Sequence, residues 1–320
     1  MSQHPAPAAL NAAQRTVIEA LGATPGDRPA FDDELAAELR DRIAEAVAPF
    51  VGSRSLDEPL FVSKHSLATV HGCEVRFKHE TSTRGFDWSV PIAVGSVAHK
   101  AIELSIHWRG SPLSLDLVDE SLGRLAGEDR DLGNFIANLP EADRAQLRSD
   151  ANDRVSAFQE TWPVLKPNWR PVTESRVRAE FLGGRLVLSG KVDLTLGHAQ
   201  GQTAGKVVVD LKTGRFRANH RDDLRFYALL ETLRVGTPPR LAATYYLDQG
   251  EFGAEPVSED VLDAAAERVI VGVARMVELS EGAEALHRPS PGCRWCPALD
   301  GCEPGNRHIE ELDGTEGSDF

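Results

Sequence analysis

Charged side chains lie inside one strand-like run of the sequence and end another. Asp193 lies in "SGKVDLTL", and Asp210 and Lys212 end "KVVVDLK". Successive side chains of a strand point to opposite faces, so Asp210 and Lys212 should share one face while Leu211 points to the other. If the two runs are neighbouring strands of a hairpin, the three charges meet at one edge of a sheet.

Two carboxylates and an ammonium at one edge could support metal-assisted hydrolysis of a phosphodiester. Mg²⁺ is usually bound through few carboxylates together with water and substrate phosphate. The metal lowers the pKa of a bound water and stabilises the charge that develops on phosphorus. Lys212 would orient that water or contact the phosphoryl oxygens. The alternative is a surface ion pair at a strand end, which contributes about 0 to 1 kcal/mol.

The four cysteines form a second group with the spacing of a metal site. Cys73 stands alone, and Cys293, Cys296 and Cys302 follow as C-x2-C-x5-C in a turn-rich segment. Zinc is held tetrahedrally by four thiolates, and an iron–sulfur cubane also takes four. The spacing alone does not choose between these two. Two disulfides would be unusual in a cytoplasmic chain.

Periodicity predicts the helices and strands that must position these residues. Three strands rich in β-branched residues cover 173–182, 185–196 and 206–211, and Gly183-Gly184 signals a hairpin between the first two. Alternation along the second strand predicts that Val192 and Leu194 share a face. A further strand is predicted at 240–247. Helices are predicted over 12–21, 222–233 and 258–279. Three more are predicted: one that ends before Pro49, one over 64–77 after Ser63, and one that starts at Gly95 with His99 at its exposed start. The mixed order favours a central sheet flanked by helices.

Length and composition fit a soluble globular protein of one large or two modest domains. The chain has 320 residues, of which 41% are apolar and 26% charged, as in ordinary soluble proteins. We expect a loosely held lead-in over 1–30, a single domain over 31–305 with a helical insertion near 112–165, and an acidic tail over 306–320. The start "MSQHPAPAALNAAQRT" has no secretory pattern and no run is long enough to cross a membrane, which predicts a cytoplasmic protein.

The charge distribution concentrates basic residues beside the proposed edge. The formal net charge of −14 argues against a surface that binds nucleic acid everywhere. The segment 204–225 is nevertheless basic, with His220 and the following cations: Lys206, Lys212, Arg215, Arg217, Arg221 and Arg225. This segment is either a solvated face or a channel for a single strand, in which Trp295, Tyr227 or Phe226 would stack on bases.

The motifs "GKVDLTL", "VVVDLKTG" and the upstream "GSVAH" together resemble the PD-(D/E)XK nuclease superfamily, in the branch of the RecB and AddB nuclease domains and the CRISPR-adaptation nucleases. The resemblance implies an α/β restriction-endonuclease-like core. It implies that His99, Asp193, Asp210 and the carbonyl of Leu211 hold Mg²⁺ or Mn²⁺, with Lys212 as the catalytic lysine.

A third family motif, "QxxxY", corresponds here to "DLRFY". Tyr227 matches the tyrosine, which the resemblance includes in the catalytic set, but Asp223 stands where the family has glutamine. An anion in place of an amide would repel a phosphate, so this departure bears on substrate binding. Glu174 lies where the family often has an acidic residue.

The cysteine layout resembles that of the iron–sulfur members of the same branch. One Cys upstream of the nuclease motifs and C-x2-C-x5-C downstream implies a [4Fe–4S] cluster that joins Cys73 to the C-terminal segment, with zinc as the alternative. The function implied is a metal-dependent DNA exonuclease on single-stranded ends, in repair, recombination or defence. The competing hypothesis is a non-catalytic DNA-binding or scaffold subunit that works with a helicase or recombination partner.

Overall fold

The described part of the protein forms an α/β fold with a mixed central sheet between two helical layers. A computed structural model describes residues 9–83, 88–108, 110–214, 216–217 and 219–316. Its strands are β1 (Leu60–Val62), β2 (Val172–Phe181), β3 (Leu186–Leu196), β4 (Val207–Lys212), β5 (Leu241–Tyr246) and β6 (Glu251–Pro256). Its α-helices are α1 (Ala12–Leu21), α2 (Leu35–Val51), α3 (Lys64–Gly72), α4 (Glu74–Ser82), α5 (Val90–His107), α6 (Ser114–Glu128), α7 (Arg130–Asn138), α8 (Glu141–Thr161), α9 (His220–Val235), α10 (Glu259–Ser280) and α11 (Glu303–Glu316).

Strand β3 organises the sheet because both of its edges are paired. Antiparallel β2 covers one edge along its whole length. On the other edge β1 pairs in parallel with the first residues of β3, and β4 pairs antiparallel with the last three. Strand β5 then continues in parallel from β4, and β6 closes the sheet antiparallel to β5. The middle of β3 therefore faces the gap where β1 and β4 separate, and the catalytic candidates cluster around this gap.

The alternation of side chains along β3 changes at Asp193. Val192 packs in the core formed with α2, α3, α9 and α10, whereas Leu194 packs in the core formed with α1, α5 and α8. The prediction that these two residues share a face is therefore wrong. In the facing strand Glu174 has φ 51°, a left-handed conformation that non-glycine residues rarely adopt. This local irregularity turns Asp193 toward the gap between β1 and β4.

Two predicted helix boundaries are wrong for local reasons. Helix α2 continues through Pro49 to Val51, since a proline in the last turn removes only one backbone hydrogen bond and Val51 is anchored in the core. The helix predicted over 64–77 is split at Cys73, which has an extended backbone (φ −154°, ψ 114°). Its N–H donates to Thr69 and its carbonyl accepts from Phe77, so Cys73 ends α3 and begins α4.

Helix α5 begins at Val90, which places His99 in its middle rather than at an exposed start. The predicted helical insertion forms α6, α7 and α8, which pack against α5 through a separate apolar core. Strands β1 and β6 were not predicted, because β1 has only three residues and β6 carries Gly and two Glu.

The two ends of the described chain are more ordered than their compositions predict. Val17 and Leu21 of α1 are buried in the core with Trp162, so the lead-in is packed from α1 onward rather than loosely held. Helix α11 extends into the predicted acidic tail as far as Glu316, and residues 1–8 and 317–320 lie outside the described chain. None of the described helices is long and apolar enough to span a membrane.

Candidate active site and cysteine pocket

The gap between β1 and β4 opens into a cleft of about 590 Å³. The sequence-predicted residues that line it are His99, Glu174, Asp193, Asp210, Leu211 and Lys212. Helix α5 brings His99 over the sheet, and Gly95, one turn earlier, lies against the end of β4. A Cβ at Gly95 would lie 3.3 Å from Thr213 Oγ1, so the small residue permits this close approach. The cleft therefore unites residues that lie more than a hundred positions apart.

The Asp193 carboxylate is held by two neighbours in a nearly buried position. Its Oδ2 accepts a hydrogen bond from the Leu211 N–H at 2.8 Å, and its Oδ1 lies 3.5 Å from His99 Nδ1. Burial alone would raise the pKa of Asp193, but the facing His99, then Lys64 and the Leu211 N–H, lower it overall. Burial alone would lower the pKa of His99, and the Asp193 carboxylate reverses this shift, so the pKa of His99 is raised. Without a metal the two form an ion pair.

The Asp210 carboxylate lies between two lysines and has no solvent-exposed surface. Lys64 Nζ donates to Oδ1 at 2.8 Å, and Lys212 Nζ lies 2.9 Å from Oδ2. That Oδ2 atom is buried and has no hydrogen bond of good geometry, because the Lys212 ammonium contacts it at an unfavourable angle. A buried carboxylate oxygen without such a bond is unusual.

Lys64, the first residue of α3, is the site residue that the sequence reasoning missed. Burial alone would lower its pKa, but Asp210, Tyr227 and Asp193 together outweigh burial, so the pKa of Lys64 is raised and the ammonium stays charged. Its Nζ also lies 4.8 Å from the centre of the Tyr227 ring, within the range of a cation–π contact. The only sequence signal was a lysine directly after the Ser63 cap, and that pattern is common on solvated helix starts.

Tyr227 is buried and contacts Lys64 and strand β3 at the border of the cleft. It is 2% exposed, and its hydroxyl donates to the Lys191 carbonyl at 2.7 Å. Its ring packs on β3 at Gly190, where an added Cβ would lie 2.6 Å from Tyr227 Cε1. Phe226 is equally buried. The prediction that Tyr227 or Phe226 stacks on bases is therefore wrong.

Asp223 lies behind Lys212 at the base of the cleft. Its Oδ2 accepts from Lys212 Nζ at 3.3 Å. Burial raises the pKa of Asp223 above its ordinary value, and the two lysines only partly oppose that shift. Asp223 therefore contacts the candidate catalytic lysine, and the structure gives it no contact with the metal-ligand candidates.

The donor set of the cleft fits a hard divalent cation. Among the described residues, His99, Glu174 and Asp193 are the one group of three such side chains whose ligand atoms all lie within 4.8 Å of one another. Glu174 also pairs with Lys191. Asp210 lines the same cleft with its unbonded Oδ2, while the Leu211 carbonyl as a ligand stays a prediction. Two or three carboxylates with one imidazole and open space for water are suited to Mg²⁺ or Mn²⁺.

The four cysteines meet in one pocket beside α3 and α4. Cys73 comes from the joint between these helices, Cys293 and Cys296 from a short 3₁₀ turn, and Cys302 from the start of α11. All four are half-buried and none is in a disulfide. Burial raises the pKa of Cys296. Among the described residues no three of these sulfurs lie within 4.8 Å of one another, whereas tetrahedral zinc would hold them about 3.8 Å apart.

Glu74 fixes the segment that carries the cysteine trio, and it does so without any metal. This buried carboxylate pairs with Arg275 of α10 at 2.6 Å and accepts from the Leu286 N–H at 2.9 Å. Arg288 donates to the His71 carbonyl at the end of α3. The chain leading to Cys293 is thus held against the helix joint that presents Cys73.

The basic segment 204–225 is only partly a free cationic face. Lys206 pairs with the buried Glu231, and Arg225 makes two hydrogen bonds to Glu255. Arg217 and Arg221 are exposed, while Arg215 lies outside the described residues. The exposed aromatic rings include Phe216, which is 66% exposed near Tyr246, and Trp295, which is 72% exposed.

The sequence matches a protein-family model whose description agrees with the metal-binding side chains of this cleft. No curated protein matches the sequence. The solved structure "Crystal structure of SSO0001" is 14% identical, with 85% of this chain and 97% of that chain covered, and its TM-score of 0.36 is too low to inform the fold. The family model described as "PD-(D/E)XK nuclease superfamily" matches residues 62–303. That range is more than half of the chain and includes the cleft and all four cysteines, so the protein belongs to the PD-(D/E)XK nuclease superfamily.

Proposed function

We propose that the protein is a Mg²⁺- or Mn²⁺-dependent deoxyribonuclease that degrades single-stranded DNA from its ends. The observation that carries the proposal is the convergence of His99, Asp193, Asp210 and Lys212 in one open cleft. A solvated ion pair would not need two buried carboxylates, Asp193 and Asp210, beside a gap in the sheet. Burial and pairing of this kind are typical of functional sites.

His99, Asp193 and Asp210 would hold the cation, and Glu174, whose carboxylate lies within 4.8 Å of the ligand atoms of His99 and Asp193, is a further donor. When bound, the metal would lower the pKa of a water and stabilise charge on the scissile phosphate. Asp193 is set for this role in advance, because the Leu211 N–H fixes one oxygen and leaves the other toward His99. The strained backbone at Glu174 aims its carboxylate at the same point.

Lys212 is the group that acts on the reacting atoms. Its ammonium lies between Asp210 and Asp223 and lines the open cleft, where it can donate to the attacking water or to a phosphoryl oxygen. Asp223 holds Lys212 in this position. The replacement of the family glutamine thus changes how the lysine is held.

Exposed groups near the cleft fit a single strand better than a duplex. Phe216 offers an open ring, and Arg217 and Arg221 are exposed on the same segment. Stacking on aromatic rings with cations along the backbone is the usual mode for single strands. Trp295 offers a second ring beside the cysteine pocket. End polarity and a cytoplasmic helicase or recombination partner remain expectations from the family.

The cysteine pocket would hold a [4Fe–4S] cluster that fastens the C-terminal segment to α3 and α4. Four half-buried thiols in one pocket supply a complete ligand set for such a cluster. Protein purified without oxygen should contain iron and acid-labile sulfide, about four of each per chain, and Cys73→Ser should lose both. A colourless protein with one zinc per chain would contradict the cluster.

Incubation with end-labelled single-stranded DNA and Mn²⁺ tests the nuclease activity. We expect progressive loss of label by the wild type and none by Asp210→Asn. The matched control is Asp41→Asn, an exposed carboxylate on α2, which should leave the rate unchanged. Equal products from wild type and Asp210→Asn, or none from either, would contradict catalysis and favour the non-catalytic scaffold. An internally labelled circular strand separates exonuclease from endonuclease activity, since only an endonuclease cuts it.

A further inference from the structure

A second cavity of about 370 Å³ lies at the opposite end of β4 from the catalytic cleft. Its walls come from α1, the segment after α8, the β3–β4 connection and the start of β5. Val207 lines this cavity, whereas Asp210 lines the cleft, and three residues of strand separate them by about 10 Å. No described residue lines both spaces, so the cavity is not an extension of the catalytic site.

Two arginines, Arg28 and Arg240, line the cavity without an acidic partner. Among the described residues no carboxylate lies within ion-pair distance of either, and the Nε atom of each is buried without a hydrogen-bond partner. The remaining walls are largely apolar, with Val17, Leu21 and Trp162 among them. Every other polar side chain on the wall is uncharged or an imidazole, so the cavity has an excess of positive charge.

The backbone holds both guanidinium groups in place. The Ala204 N–H donates to the Pro29 carbonyl at 2.8 Å, which ties the segment after Arg28 to the β3–β4 connection. The Arg240 N–H donates to the Lys206 carbonyl at 2.8 Å, and its side chain donates to the Leu21 carbonyl. Gly205 leaves room for Arg28, since an added Cβ would lie 3.1 Å from its Nη1. The two cations are therefore positioned by ordered chain and not by a flexible surface.

Two unpaired cations in one apolar cavity are unfavourable for the protein alone. Burial lowers the pKa of Arg240, and the neighbouring Arg28 lowers it further. Buried polar atoms without partners are rare and call for an absent ligand or water. An anion between the two guanidinium groups would remove the repulsion and make charge-assisted hydrogen bonds.

We propose that this cavity binds a small organic anion that carries a phosphate or carboxylate and a flat ring, the class to which nucleoside monophosphates and aromatic carboxylates belong. Arg28 and Arg240 bind the anionic group, and the apolar wall receives the ring. The side-chain amides of Asn168 and Gln200 line the same cavity and can pair with polar atoms on a ring edge. The volume lies within the range of small-molecule sites. The site is independent of the proposed nuclease activity.

Binding of dAMP in EDTA, followed by tryptophan fluorescence and by equilibrium dialysis, tests the proposal. Trp162 and Trp169 both line the cavity, so occupancy should change the emission. Inorganic phosphate, deoxyadenosine and benzoate are tested separately, which distinguishes a phosphate site from a carboxylate site. The variants are Arg28→Met and Arg240→Met, with Arg144→Met on the exposed face of α8 as the charge-matched control.

We expect dAMP to bind and each cavity variant to weaken it at least about tenfold, the loss of one charge-assisted hydrogen bond. Arg144→Met and Asp210→Asn should bind as the wild type does. Arg240→Met could fail to fold, because the Arg240 side chain also donates to the Leu21 carbonyl at the end of α1. In that case the binding of dAMP by Arg28→Met tests the proposal. The proposal is overturned if neither dAMP nor benzoate binds at millimolar concentration, or if Asp210→Asn abolishes binding as strongly as Arg28→Met.

Discussion

Replacing Lys64 by Met should destabilise the metal-free protein and strengthen its response to Mn²⁺. The Lys64 ammonium lies 2.8 Å from Asp210, whose side chain has no exposed surface. Methionine keeps the length and the apolar stem over Tyr227 while it removes the charge. The variant therefore leaves a buried carboxylate with Lys212 as its remaining cation.

The size of the effect follows from the burial of the pair. Removing one partner of a buried ion pair costs about 3 to 5 kcal/mol. Lys64 is itself about a quarter exposed and Lys212 stays 2.9 Å from the other oxygen, so we expect a loss at or below the lower limit of that range, about 2 to 3 kcal/mol. At about 2 °C per kcal/mol for a domain of this size, the melting temperature should fall by about 4 to 6 °C.

The response of the variant to metal distinguishes loss of the Lys64 charge from simple loss of packing. A bound ligand stabilises the folded state by an amount that grows with its affinity. Without the Lys64 charge, Mn²⁺ meets one fewer competing cation at Asp210, so it should raise the melting temperature of Lys64→Met more than that of the wild type. Thermal unfolding in EDTA and in Mn²⁺ measures both values.

Lys78→Met is the matched control, an exposed lysine on the neighbouring helix α4, and it should change neither value. The reasoning is refuted if Lys64→Met melts within about 1 °C of the wild type in EDTA. It is also refuted if Mn²⁺ stabilises both proteins equally.

Three further predictions concern the surroundings of the site. Gly190→Ala should cost about 1 to 3 kcal/mol by overpacking against the Tyr227 ring, measured by urea unfolding, and an unchanged midpoint would contradict that packing. Glu74→Gln should cost about 2 kcal/mol, because it leaves Arg275 without its buried partner, and it should lower the iron content of purified protein; unchanged stability would contradict this anchoring role. His220 has its pKa lowered to about 4 by burial and then by the nearby lysine, so between about pH 6.5 and 4 the unfolded chain binds the proton and stability falls with falling pH. His220→Gln should flatten urea midpoints across this window, and parallel curves for the two proteins would contradict it.

Most elements could be predicted because their signals are local. Helix α1 and strands β2, β3 and β4 lie within about two residues of the predicted ranges, since capping, periodicity and β-branched runs fix them. The boundaries that differ depend on tertiary contacts. Helix α2 passes Pro49 because buried Val51 holds its last turn, and the break at Cys73 aims a thiol at a segment more than two hundred residues away.

In the candidate site too, contacts within one strand could be predicted, whereas contacts between distant segments could not. The pairing of Asp210 with Lys212 follows from alternation within one strand and is present in the structure. Lys64 contacts Asp210 across 146 positions, and no local pattern encodes that distance. The turn of β3 at Asp193 depends on the left-handed Glu174 in the facing strand, which a β-rich sequence gives no reason to expect.

The most direct test of the account is cleavage by Lys212→Met with metal binding measured on the same sample. Lys212 lines the cleft beside the metal-ligand candidates, and the proposed ligands do not include its side chain. Mn²⁺ binding, followed by calorimetry, should persist in the variant while single-turnover cleavage of end-labelled single-stranded DNA falls at least about a hundredfold. Cleavage at the wild-type rate with Mn²⁺ bound would contradict the central claim that this cleft is a nuclease site with Lys212 as its catalytic lysine.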